Sequence, residues 1–169
     1  MSDAFADFHI PHAEKIEWMI ETKGWALEPV LANAETRPAT PGYCYTIGLP
    51  ALTGFAEVVI FGLTPVAASG LLTLVVDLLQ GGTEIPLGVE LVGLLDNELR
   101  CVFAPIDVSE HGHYFTTAQA WYRGEQFAMV QLLWPDRNGF LPTEVGYAQH
   151  LSLAQPVIGH STQLPDGTA

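Results

Sequence analysis

Basic residues are scarce in this chain. Six Lys and Arg stand against nineteen Asp and Glu among 169 residues, a formal charge of -13. A surface of that sign repels a phosphate backbone or an anionic bilayer, which argues against nucleic acid and membrane as partners. It attracts a basic macromolecule instead, or serves solubility alone. Cysteine is nearly absent as well: Cys44 and Cys101 form no CxxC pair and no dense secreted framework, so both are expected as buried free thiols. No apolar leader core follows the N-terminus MSDAFADFHIPHAEK, which makes the cytoplasm the expected compartment. The most apolar stretch, Val66 to Leu79, is broken by Ser69, Gly70, Thr73 and Asp77. It is shorter than the roughly 20 residues that cross a bilayer and reads as a buried helix. Phosphate-loop, dinucleotide, nucleophile-elbow and HExxH signatures are missing too. These absences leave the cofactor unknown.

What is present is apolar: 49% hydrophobic against 15% charged residues, enough to bury a sizeable core in one domain, taken here as residues 1–159 with a flexible tail over 160–169. Residues 12–23 bring Ile16, Met19 and Ile20 near helical spacing, and Gly24 stops that helix. Residues 25–30 (WALEPV) read as a strand in which Pro29 demands an edge or an end. A polar, Pro-containing loop over 31–41 leads to strands at 43–49 and 56–61, joined by a short loop, ALTG; the second strand reads as buried on both faces. Thr64 caps and Pro65 opens a helix that runs to Gln80 before Gly81 and Gly82. Residues 89–95 and 99–104 flank a polar Asp96-Asn97-Glu98 turn, as a hairpin does. A third, weaker helix is predicted over 109–123 with Ser109 as its cap, then a strand over 127–134 and an extended loop wrapping the body. The order calls for an α+β fold: a mixed or mostly antiparallel sheet of about six strands with three helices packed against it. Strict βαβ alternation is lacking, which argues against a doubly wound nucleotide fold.

Three segments are more specific than composition: GYCYTIGL at 42–49, GFAEVVIFGL at 54–63 and VQLLWPDRNGFLPTEVGY at 130–147. Together they resemble the domain of unknown function 4262 family of bacterial proteins, over most of the chain. The resemblance implies a bacterial origin and brings no established activity with it. The chain departs from the family pattern at Ala56, where Pro is common, and at Thr143, where an aromatic is common. The second change removes an aromatic from a possible site wall.

Candidate sites follow from chemistry. His111 and His113, with Glu110 and Asp107 close by, are ligand types a transition metal accepts, provided Gly112 breaks the helix between them. The competing reading is two surface histidines near a helix start. Asp136 and Glu144 lie in the most family-like block, and paired carboxylates there would suit metal binding or acid–base work. Pro-Asp-x-Asn-Gly is also turn chemistry, in which Asp136 accepts backbone N–H bonds. Glu57 opens an apolar strand and must reach water or find partners. Tyr43, Tyr45, Trp121, Tyr122 and Trp134 would line a groove or fill the core. Two functional readings result. One is a non-catalytic protein-interaction or regulatory, immunity-like module with a basic partner. The other is a small-molecule or metal-binding protein, conceivably an enzyme, in which Glu57, His111, His113, Asp136 and Glu144 converge on one pocket.

Overall fold

The computed structural model describes residues 11–37, 39–94 and 99–160. The leader reading of the first residues, the Asp96-Asn97-Glu98 turn and the tail beyond His160 lie outside the described residues. The chain runs α1 (His12–Lys23), β1 (Ala26–Val30), β2 (Tyr43–Ile47), α2 (Leu49–Thr53), β3 (Glu57–Phe61), α3 (Pro65–Gln80), β4 (Glu90–Val92) and β5 (Arg100–Ile106). It continues through α4 (Val108–His111), a 3-10 turn (Gly112–Tyr114), α5 (Thr116–Trp121), β6 (Met129–Leu133) and a 3-10 turn (Gln149–Leu151).

The six strands form one sheet in the order β1-β2-β3-β6-β5-β4. Neighbours are antiparallel except β3 and β6, which run parallel in the centre with Glu57 opposite Met129. The α+β class and the mixed sheet are as the sequence predicts. Pro29 sits on an edge strand, where its missing N–H costs no ladder bond. β2, β3 and β6 are buried at every position, because helices or loops cover both faces of the sheet centre.

One face carries Cys44, Val58, Ile60, Cys101, Phe103, Val130 and Leu132 against Ala68, Leu72, Val75 and Val76 of α3. Those four recur at i, i+4, i+7 and i+8, so a helix apolar on most sides still buries one stripe and leaves Val66 in solvent. Thr64 Oγ1 accepts from the N–H of Ala67 at 3.2 Å, the cap read from the sequence. The opposite face packs Tyr43, Tyr45, Ile47, Val59, Phe61 and Met129 against Ile16 of α1 and Phe115 and Ala118 of the α4–α5 region. Residues 135–160 cover the rest of that face, with Leu141 on Val102, Ala104 and Leu133.

Two local expectations change. ALTG belongs to the five-residue helix α2, opened by Pro50 and stopped by Gly54 at φ 80°; five residues are too few for periodicity to show. The helix predicted over 109–123 is split. Asp107, not Ser109, caps α4, its Oδ1 accepting from the Ser109 N–H and hydroxyl at 3.0 and 2.6 Å. Buried Gly112 then tightens the chain into the 3-10 turn, and α5 ends at Trp121, with Arg123 and Gly124 beyond it at positive φ. Among the described residues no helix is long and apolar enough to cross a membrane.

Candidate functional site

Glu57 begins β3 in the middle of the sheet and is fully buried. Four donors meet it: Thr46 Oγ1 at 2.7 Å, Gly48 N at 2.7 Å, Leu49 N at 3.3 Å and Tyr122 Oη at 2.5 Å. Gly48 makes this possible. Its φ of 111° turns the chain from β2 into α2 and aims two successive N–H groups at the carboxylate, in a place where a Cβ would lie 3.1 Å from the Gly24 carbonyl. Burial pushes the Glu57 carboxyl above its ordinary value, and the four donors pull it part of the way back. Burial, then the charge of Glu57, push the Tyr122 phenol up. The acid therefore finds partners rather than water and ties α5 to the β2–α2 turn.

Asp136 and Glu144 sit elsewhere and organise the segment after β6. Asp136 Oδ1 accepts from the N–H of Asn138 and Phe140 at 2.9 Å each, and Oδ2 accepts from Ala148 N at 2.8 Å. Burial raises its carboxyl, but these backbone donors together hold it below the ordinary 3.8. Arg100 grips Glu144 with both arms, at 2.7 and 2.6 Å, and also reaches Glu90 and the Gly139 carbonyl. That hydrogen bonding keeps Glu144 below 4.5. The stability it lends is present above pH 4.5 and is lost as pH falls through the lower folded value. Arg100→Met is expected to cost about 1 kcal/mol at neutral pH and to flatten the acid limb. Urea midpoints compared from about pH 3 to about pH 7 check it; an unchanged acid limb refutes it.

His111 ends α4 with Nε2 3.6 Å from Glu110, and His113 lies in the 3-10 turn with its ring 4.3 Å from that of Tyr114. Among the described residues no group of three or more His, Cys, Asp or Glu is placed to hold one metal ion. Of the aromatic candidates, Tyr43 and Tyr45 are core, Tyr45 edge-on to Phe115 at 5.3 Å. Trp134 donates Nε1 to the Phe61 carbonyl at 2.8 Å, and Tyr122 stacks on Phe127 at 4.8 Å. Cys44 and Cys101 are buried free thiols, and burial pushes Cys101 up to about 12, far from a reactive thiolate.

Trp121 reaches an open site, a groove of about 670 Å³ between α1 and α5. Ile16, Ala120 and Trp121 supply apolar lining, Glu14 and Glu17 acidic lining, and Arg123 a lining cation. His12 and Thr117 also line the groove, and both bind Glu28. His12 Nε2 lies 2.8 and 2.9 Å from the two Glu28 oxygens, and Thr117 Oγ1 donates to Oε2 at 2.6 Å. The Glu28 charge in turn raises the Tyr45 phenol, a shift led by burial and partly offset by Thr117 and the Ala118 amide. Glu28 is not among the residues singled out from the sequence. Its signal was register: it falls between Ala26 and Val30, inward positions of β1 that join the second core cluster.

A family model described as a domain of unknown function, DUF4262, matches residues 19–148. The chain belongs to the DUF4262 family. The matched span holds every strand, Glu28, Glu57, Thr117, Trp121, Asp136 and Glu144; His12 precedes it and Gln155 follows it. No curated protein and no solved structure matches the chain.

Proposed function

We propose that this DUF4262 chain is a non-catalytic protein-interaction module, regulatory or immunity-like in kind, that meets a basic partner in a bacterial cytoplasm. The observation that carries the reading is charge: -13 over 169 residues, with the carboxylates of Glu57, Asp136 and Glu144 committed to holding the fold rather than gathered for chemistry. Each of the three already accepts at least three hydrogen bonds from backbone or side-chain donors. The acids left at the surface, such as Glu14, Glu17 and Glu21 on α1, are free to steer an oppositely charged protein. Buried free thiols agree with a reducing compartment.

The test is affinity purification at about 0.1 M and about 1 M salt, between which the screening length falls from about 10 Å to about 3 Å. A stoichiometric partner of basic isoelectric point is expected at the lower salt only, and Glu14→Lys with Glu17→Lys should release it. A partner indifferent to salt and to charge reversal, or none at all, refutes the reading. The second reading, a small-molecule site, rests on the groove, whose volume lies in the range of ligand pockets. A stoichiometric bound small molecule in the native mass spectrum would favour it.

A further inference from the structure

The unusual feature of the groove is Glu28, held just behind the lining residues His12 and Thr117. The residue is 6% exposed, yet both of its carboxylate oxygens lie within hydrogen-bond distance of one nitrogen of His12, at 2.8 and 2.9 Å. Two oxygens directed together at a groove-lining group form the edge that a planar guanidinium matches with two parallel N–H bonds. An imidazole uses it with a single nitrogen. His12 is the first residue of α1, and its side chain is 57% exposed, so it can swing aside without disturbing the core. Thr117 stays behind as a donor to Oε2 and holds the carboxylate in place. Trp121 lines the same groove, and an indole is the ring on which a guanidinium stacks best. Glu14 and Glu17 add negative potential at the walls, and Arg123 opposes a cation.

Resting on the proposed basic partner, we infer that the α1–α5 groove is where this partner docks, by inserting an arginine side chain that displaces His12 and forks onto Glu28. Trp121 flanks the guanidinium. The apolar lining of Ile16 and Ala120 takes the methylene stem.

The probe is acetyl-hexa-arginine amide, titrated into the full chain at about 0.1 M salt and followed by amide and indole NMR shifts. Saturable shifts confined to residues 12–17, 28 and 116–123, including the Trp121 indole, are expected. Hexa-lysine should bind several-fold more weakly, because an ammonium cannot fork. Glu28→Gln is expected to weaken hexa-arginine by about tenfold. Should that variant not fold, His12→Ala leaves Glu28 in place and should tighten binding, as should Arg123→Ala. Shifts spread evenly over the acidic surface, equal affinity for the two peptides, or weaker binding by His12→Ala would each overturn the arginine site. None of these outcomes bears on whether purification yields a salt-sensitive partner, so the docking site and the partner reading fail separately.

Discussion

Glu57→Ala is expected to remove about 3–5 kcal/mol of stability at neutral pH. The substitution leaves the Thr46 and Tyr122 hydroxyls and the Gly48 and Leu49 amides directed at a space with no acceptor, in a site closed to water. It also frees α5, whose C-terminal Tyr122 reaches the sheet through this carboxylate. Glu57→Gln is milder, about 1–3 kcal/mol, since one amide oxygen still accepts while the NH2 group confronts donors. The two proteins should also differ in pH dependence. The folded Glu57 carboxyl titrates above its ordinary 4.5 because burial disfavours its charge. Between that value and the folded one, the unfolded chain has released a proton that the folded chain retains. The unfolded state then binds fewer protons, so this residue's contribution falls as pH rises. The stability difference between wild type and Glu57→Gln should therefore shrink above pH 4.5. A urea midpoint series measures it. A difference that grows with pH would show that the four donors outweigh burial.

Gln131→Leu and Gly159→Val are each expected to cost about 2–4 kcal/mol, and together less than their sum. Both act on one seam. Buried Gln131 donates to the Pro156 carbonyl at 2.6 Å, and its Oε1 accepts from Ile158 N at 2.8 Å and Gly159 N at 3.0 Å, tying residues 156–159 to the central strand β6. A Cβ on Gly159 would stand 2.5 Å from the Ala104 carbonyl, so any side chain lifts the segment from β5. Once it is lifted, Gln131 has lost its partners, and replacing it by Leu loses little more. Midpoints in urea for the singles and the double form the cycle. Full additivity would mean that the two residues hold different parts of the fold.

The legibility of the site followed the same logic residue by residue. Glu57 was readable as an acid in need of partners because it interrupts an apolar strand. Its partners were not, since Tyr122 is 65 positions away. The turn reading of Asp136 matches its bonds to Asn138 and Phe140, which are local. The grip of Arg100 on Glu144 spans 44 positions and left no local mark. Glu28 carried a signal of the same kind as Glu57, a charge at an inward strand position, but Pro29 beside it drew the reading toward an edge. The helix predicted over 109–123 failed at Gly112 and Phe115, where tertiary packing overrides the apolar spacing.

The sequence by itself determined the strands, the caps at Thr64 and Gly24, the α+β class, the family and the sign of the surface charge. These depend on near neighbours along the chain or on sums over it, such as periodicity, turn chemistry and net charge. Only the tertiary structure decided that β3 runs parallel beside β6, which acids hold the fold, and that His12, Glu28, Thr117 and Trp121 meet at one groove. Those meetings join residues on α1, β1 and α5, and Glu28 and Thr117 alone lie 89 positions apart. No local pattern specifies such a pairing; it forms only when the helices and the sheet bury their apolar faces against each other.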